Sequence, residues 1–317
     1  MLNGSDNILE NIDKKTLLNL IQQSFSVKGL TESESMELAY AMVLEKKLDS
    51  EIPSIKSKEP LRVFLTHDVD WIYPSHIFSI IKMLSLRKDW INFLQLFQSD
   101  IFLKNIEKLL AFEKEQNVKS FFMVGSNDSK KCIGRYDIRY TLHHPSFKKL
   151  ISLLTTNRIE IGLHSQNNFS YRDQVRNLER LYGCKVIFHR SHFNNFDPSV
   201  LWNILNRNGV DMDFSVGNAR EVGFKMGIPR HYQAIDLRRE KILNTTVVPT
   251  ILSDNAFFYQ DRDIVFEQFK ESLKTAKQFG ASVAILFHPE NMVIKPELWE
   301  YYEEIIHICK TEGALFI

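Results

Sequence analysis

Long uncharged apolar stretches are absent from this sequence of 317 residues. No such run reaches the roughly 18 residues that a membrane-spanning helix needs, and the opening residues, MLNGSDNILENIDKK, lack the basic segment and apolar core of a secretory leader. We therefore predict a cytoplasmic protein without a transmembrane segment. Tracts of low complexity are also absent, and 44% of the residues are hydrophobic, which is typical of a globular protein.

Cysteine is scarce, and the net charge is small. The three cysteines, Cys132, Cys184 and Cys309, are odd in number and far apart, which argues against a disulfide framework and against a zinc ribbon. We interpret them as small buried hydrophobic residues. The formal net charge is only +1, so the chain lacks the electrostatic signature of a nucleic-acid-binding protein and we predict no nucleic-acid partner.

The chain has two parts of different character. Residues 7–48 carry apolar side chains such as Leu17, Leu18 and Ile21 at helical spacing, and the polar stretch DSEIPSIKSKEP that follows contains two prolines and is typical of a linker. We predict an N-terminal helical segment with its linker at 1–58 and a main domain at 59–317. The helices are expected either to cover the bottom of the main domain or to pair two subunits as a homodimer.

Short apolar runs alternate with helical patterns through the main domain. This alternation predicts an α/β fold with a parallel sheet, and seven or eight mostly parallel strands over about 250 residues indicate a closed or nearly closed (β/α) barrel. The predicted strands lie at Leu61–Thr66, Ser120–Val124, Glu160–Leu163, Lys185–His189, Asp211–Ser215, Thr246–Ile251, Ser282–Phe287 and the final ALFI. The predicted helices lie at Ile101–Glu115, Pro145–Thr155, Arg172–Tyr182, Pro198–Asn208, Asp263–Phe279 and Pro296–Cys309.

Polar residues follow the predicted strands at their carboxyl ends. The first strand ends in THDVD, the third in HSQNN, the fourth in HRSHF, and the late strand SVAILF in HPEN. Because parallel strands open their carboxyl ends on one face, these groups are expected to converge. Each has a structural explanation alone: the acids could cap a helix, and the histidines could close a strand. Buried acids also need a metal ion, a basic side chain or water beside them. The occurrence of acids, histidines and an arginine at several converging strand ends therefore predicts a functional site.

Aspartate and histidine suit a divalent ion such as zinc. A site with three protein ligands leaves room for a water, whose pKa the metal lowers. With a carboxylate to accept a proton and a histidine to deliver one, such a set performs hydrolysis.

The order of these motifs resembles that of the polysaccharide deacetylases with a NodB-homology domain. The resemblance spans about Leu61 to Ile317 and rests on THDVD, SFFMVG, EIGLHS, HRSHF, DFSVG and ILFHP in that succession. It implies a deformed (β/α) barrel, a divalent metal, and hydrolysis of an N-acetyl group on a sugar.

The resemblance also implies roles for individual residues. Asp68 matches the catalytic base and Asp70 a metal ligand. His164 matches the first metal histidine of the second motif. Arg190 matches the arginine that holds the catalytic aspartate, and His288 matches the general acid.

One position departs from the family's pattern. The second metal histidine is expected four residues after the first, and Asn168 stands there. An amide oxygen is a weak zinc ligand, so the third ligand is expected to come from elsewhere or the metal to be held poorly. We predict His192 as the substitute, with His67, His143 and His144 as further candidates.

Substrate contacts are predicted beyond the acids and in the loops. Trp71 could stack on a sugar ring or join the core; Arg135 and Tyr136, in a long polar loop, suit hydroxyl or phosphate groups; and Ser215 follows the fifth strand. The predicted substrate is an N-acylated sugar, nucleotide sugar or lipid-linked saccharide, deacetylated during assembly of capsule or lipopolysaccharide O-antigen. The alternatives are a cyclic amide or ureide hydrolase on the same barrel, and a non-catalytic carbohydrate-binding protein.

Overall fold

A computed structural model of the chain describes residues 59–72, 100–126, 138, 140, 142–166, 170–194, 197–225, 229–236, 239 and 241–317. The predicted helical segment at 1–58 lies outside these residues. The strands in the described part are β1 Arg62–Val69, β2 Ser120–Val124, β3 Glu160–Ser165, β4 Phe188–Ser191, β5 Met212–Asp213, β6 Tyr232–Asp236, β7 Lys241–Val247, β8 Thr250–Ser253, β9 Ser282–Leu286 and β10 Leu315–Phe316. The α helices there are α1 Ile101–Glu115, α2 Pro145–Thr156, α3 Tyr171–Tyr182, α4 Pro198–Arg207, α5 Arg262–Gln278, α6 Pro289–Ile294 and α7 Leu298–Thr311.

The chain divides into two compact units. The first unit comprises Phe64–His192, Ile285–Thr311 and Phe316–Ile317. The second unit comprises the described residues of 59–63, Phe193–Ala284 and Glu312–Leu315.

Parallel strands form the centre of the first unit. Their order is β4-β3-β2-β1, with the end of β9, Ile285 and Leu286, on the other side of β1, and the pairs from β1 to β4 are all parallel. Strand β2, SFFMV, is buried at every position, which is typical of a parallel sheet covered on both faces. The register places His164 opposite Arg190, so parallel pairing brings the carboxyl ends of β3 and β4 together.

Helices α1 and α7 belong to the same unit. Helix α1 buries Phe102, Ile106 and Leu109 at helical spacing, as a core-facing stripe does. Its buried face also includes one acid, Glu113. Helix α7 buries Tyr302 on its own inner face, so polar groups as well as apolar ones are enclosed beneath this sheet.

The second unit combines parallel and antiparallel pairing. Strand β5 pairs with β7 in parallel, and β6 pairs with β7 antiparallel, with a shift of register between Gln233 and Ile235. The Trp202 indole on α4 donates a hydrogen bond of 3.0 Å to the carboxylate of Asp213 on β5. This contact satisfies a fully buried acid, as an interior charge requires.

The predicted α/β class with a mostly parallel sheet is confirmed. The six predicted helices occur with ends displaced by at most two residues, and α6 is an additional one. The described residues contain ten strands, so the predicted number of seven or eight was too small. Strand β6 was not predicted. Strands β7 and β8 replace a single predicted strand, because the chain breaks at Val248–Pro249, where proline supplies no N–H to the hydrogen bonds between strands. Closure into a barrel stays a prediction.

Two smaller predictions have outcomes in the described residues. Cys309 is buried as predicted, whereas Cys184 is exposed, because it lies just after the left-handed residue Gly183 that ends α3. Cys132 lies outside the described residues. Within the described part of the chain, none of the helices has both the length and the apolar character needed to cross a membrane.

Candidate metal and catalytic site

A buried ion pair joins the ends of β1 and β4. The carboxylate of Asp68 is 2% exposed, Arg190 is fully buried, and Arg190 Nη1 donates to Asp68 Oδ1 at 2.8 Å. Removing either charge from water is costly unless the two are paired. The basic side chain that the acid requires therefore arrives from a strand 122 residues further along the chain.

Asp68 is ionised at neutral pH. Burial raises the pKa of this carboxyl group, but the positive charges of Arg190, His164 and His288 outweigh burial, so its pKa lies below the ordinary 3.8. An ionised carboxylate beside a reacting group is able to accept a proton.

Three potential metal ligands lie next to this pair. One oxygen of Asp70 and one ring nitrogen each of His164 and His192 lie within 4.8 Å of one another. His164 Nε2 is 3.3 Å from Asp70 Oδ1, and His192 Nε2 is 3.7 Å from Asp70 Oδ2. The two imidazole rings stand nearly perpendicular, at 87°. Asp70 directly follows β1, His164 lies on β3, and His192 begins the turn after β4.

The hydrogen bonding of His164 fits a metal. Its Nδ1 lies 3.1 Å from the carbonyl oxygen of Arg190 and must carry a proton to bond with it, which directs Nε2 towards carboxylate oxygens of Asp70 and, at 3.6 Å, Asp68. A ring nitrogen and carboxylates face each other favourably only with a cation between them, whether a proton or a metal ion. Metal-bound histidines commonly donate their second N–H to a backbone carbonyl in this way.

The close approach of these charges also shifts the pKa values of His164 and Asp70 in the protein without a metal. Burial lowers the pKa of His164, but the charges of Asp68 and Asp70 outweigh it and raise that pKa above 6.5. Burial raises the pKa of Asp70, but His192 and His164 together bring it well below 3.8. One carboxylate and two imidazoles form a donor set that suits zinc.

Two residues that sequence reasoning did not single out support the cluster. The backbone N–H of Asp70 donates to Glu290 Oε1 at 3.3 Å, and Glu290 is itself buried. The Tyr140 hydroxyl donates to the carbonyl of Val69 at 2.8 Å and accepts from the N–H of Gly125 at 2.7 Å. The motif HPEN contained Glu290, but its distance from Asp70 in sequence gave no reason to pair them.

His288 marks the start of α6. It is 8% exposed and occupies the N-cap position of that helix. Its charge contributes to the lowered pKa of Asp68. The residues before the predicted base and the predicted acid, His67 and Phe287, are in contact through a side-chain hydrogen bond of 3.0 Å.

The predicted substrate residues have diverse positions. Trp71 packs against the apolar cluster of Phe102, Val293 and Ile294, its ring edge-on to Phe102 at 6.4 Å. Ser215 is fully buried and donates its hydroxyl to Asp213. Arg135, Tyr136 and Asn168 lie outside the described residues. Substrate contact by this set stays a prediction.

The remaining candidate ligands stand apart from the cluster. His67 bonds to Glu113 and to the carbonyl of Phe287. His144 caps α2 and accepts from the N–H of Ser146, and His143 is exposed. Among the described residues, His192 is the one of the four candidates that joins Asp70 and His164.

Comparisons with known proteins give a likeness in fold. The chain matches no family model and no curated protein. Among solved structures, the crystal structure of a proposed polysaccharide deacetylase from Mycobacterium smegmatis is similar, with a TM-score of 0.52 and 14% identity, over 82% of this chain and 87% of that one. At this identity the likeness shows a shared fold.

Proposed function

We propose that this protein is a metal-dependent hydrolase that removes the acetyl group from an N-acetylated sugar. The observation that carries the proposal is the juxtaposition of a buried carboxylate–arginine pair, Asp68 and Arg190, with the Asp70–His164–His192 cluster. The order of sequence motifs and a solved structure of similar fold, itself a proposed polysaccharide deacetylase, support the same activity.

The cluster would hold a divalent cation, zinc by preference, which supplies Lewis acidity beside Asp68 when bound. Asp68 accepts the proton of the attacking water, since its pKa keeps it ionised. Arg190 keeps that carboxylate charged and fixes its orientation through the 2.8 Å hydrogen bond. His288 delivers a proton to the leaving amine, as a general acid near the base can do.

The substrate class follows from the resemblance. We assign the catalytic domain to 59–317 and the activity to cytoplasmic assembly of a surface polysaccharide such as capsule or O-antigen. The substrate is then an N-acetylated sugar carried as a nucleotide sugar or on a lipid, and not a finished wall polymer.

The first experiment is elemental analysis of protein purified without added metal, followed by soaking in zinc. We expect about one equivalent in the wild type and in His143→Ala, a matched variant of an exposed histidine, and loss in His164→Ala. Absence of metal from the wild type after soaking would overturn metal dependence.

The second experiment measures acetate release from a panel of N-acetylated nucleotide sugars and lipid-linked sugars. We expect release by the wild type and release slower by about 10²–10⁴-fold in Asp68→Asn. Turnover of ureides or cyclic imides without acetate release would move the assignment to a cyclic amide hydrolase. Sugar binding without any turnover would identify a carbohydrate-binding protein.

A further inference from the structure

His67 lies on the opposite face of β1 from the catalytic site. It directly precedes Asp68, and alternate residues of a strand point to opposite faces. Its ring is fully buried, with Nδ1 3.0 Å from the carbonyl oxygen of Phe287 and Nε2 2.7 Å from Glu113 Oε1. Both ring nitrogens therefore have an oxygen partner.

Glu113 is held by three elements besides its own helix. Its Oε1 accepts a hydrogen bond of 2.6 Å from the Tyr302 hydroxyl on α7, and its Oε2 accepts one of 2.6 Å from the Ser120 hydroxyl at the start of β2. His67 on β1 is the third partner. The carboxylate is 3% exposed, so the network links β1, β2, α1 and α7 out of contact with solvent.

The surroundings of this pair are otherwise aromatic. The ring of His67 lies 4.8 Å from that of Phe122, and Tyr302 lies 4.8 Å from Phe287. Apolar side chains could fill this space, and buried polar pairs commonly add little stability over well-packed apolar replacements. The hydrogen bonds of this network are directional, so they fix the relative positions of the groups that they join in a way that apolar contacts do not.

The bond to Phe287 falls where β9 leaves the sheet. The Thr66 hydroxyl donates to the carbonyl of Ile285 at 2.8 Å, and the N–H of Phe287 donates to the carbonyl of Thr66 at 3.0 Å. The next residue, His288, begins α6. The His67 bond therefore holds the peptide that joins β9 to His288.

We infer that His67 and Glu113 are positioning residues that set the distance between Asp68 and His288. His67 is covalently next to the proposed base, and its Nδ1 holds the carbonyl of the residue before the proposed acid. Glu113 fixes the ring of His67, and Tyr302 and Ser120 fix Glu113. The inference rests on the proposed function for the roles of Asp68 and His288.

The test compares His67→Leu with Glu113→Gln. Leucine fills space but cannot hold Phe287. The glutamine amide can donate to Nε2 of a neutral imidazole, which leaves Nδ1–H on Phe287. We expect kcat to fall about 10²-fold in His67→Leu, as small displacements of catalytic groups can cause, with KM and metal content unchanged, and Glu113→Gln to stay within about threefold of wild type. His307→Leu makes the same change at an exposed position on α7 and is the matched control.

Hydrogen exchange supplies a readout that does not need a substrate. In His67→Leu we expect faster exchange at the amides of Phe287 and Asn291, which bond to Thr66 and His288 respectively, with α1 and α7 still protected. Unchanged exchange at both amides would overturn the inference. Lower thermal stability with kcat unchanged would also overturn it and leave a purely structural pair. If the wild-type protein shows no turnover, that result counts against the proposed function alone. Hydrogen exchange still tests whether His67 positions the segment that carries His288.

Discussion

Arg190 donates a 2.8 Å hydrogen bond to Asp68 between two side chains that are almost completely buried. Each charge makes the burial of the other tolerable, and the pair stands beside the cluster of Asp70, His164 and His192. An acid held in this way stays ionised in a dry environment, which is the condition for accepting a proton at neutral pH.

Replacing Arg190 by methionine removes the partner of Asp68. We expect the free energy of unfolding at pH 7 to fall by about 3–5 kcal/mol, as it does when a buried pair loses one member. Because the pKa of Asp68 in the folded protein lies below 3.8, the stabilisation is present above 3.8 and is lost as the pH falls through the lower folded value. Urea denaturation at a series of pH values measures both effects, and a wild-type advantage that grows on acidification would contradict the assignment.

Asp68→Asn separates the base from the metal. We expect hydrolysis to fall by a factor of about 10²–10⁴, the usual contribution of general base catalysis, while metal content stays at the wild-type level. Asp70→Asn is the matched variant two residues away and is expected to lose metal. Steady-state acetate release and elemental analysis of both variants provide the comparison; equal metal loss in the two would remove the distinction between their roles.

The third ligand is decided by two further substitutions. We expect His192→Ala to weaken zinc binding by at least about tenfold, since one nitrogen donor of the cluster is lost, and Asn168→Ala to bind zinc as the wild type does. Competition with a chromophoric chelator gives both affinities. The reverse ranking would return the ligand role to Asn168.

Zinc affinity is expected to rise with pH above 6.5. In the metal-free protein the pKa of His164 is raised above that value, so zinc must displace a proton from this ring in order to bind. The apparent affinity for zinc therefore rises about tenfold per pH unit until His164 is neutral. Asp68→Asn removes one of the charges that raise this pKa, so its affinity should level off at lower pH. Chelator competition across the range measures the profiles, and an affinity independent of pH would contradict the prediction.

Gly162 precedes His164 by two residues and has no room for a side chain. An added Cβ would meet the sulfur of Met123, the Cβ of Phe188 at 2.8 Å and the Phe188 carbonyl at 2.9 Å. We expect Gly162→Ala to lower the free energy of unfolding by about 1–3 kcal/mol through overpacking and to weaken zinc binding by displacing His164. Urea denaturation and zinc titration test this, and wild-type values in both would show that β3 and β4 can separate without cost.

Local patterns were sufficient for most of the helices and strands but not for all of them, nor for the pairing of the strands. The helix at Ile101–Glu115 occurs as predicted because its apolar residues repeat at helical spacing. Strand β6 has no such clear signal: it pairs antiparallel with β7 across a shift of register, a pairing that depends on contacts distant from the strand itself.

The sequence by itself determined the α/β class, the order of the motifs and the candidates Asp68, Asp70, His164, Arg190, His192 and His288, because strand ends and residue chemistry are local properties. Tertiary structure decided which of the described candidate histidines lies beside Asp70 and His164. His192 was the preferred third ligand in sequence and His67 a further candidate. Strand alternation turns His67 away towards Glu113, whereas the turn after β4 directs His192 to Asp70. Which side chains meet depends on backbone direction and register, and those are set by the packing of the whole sheet.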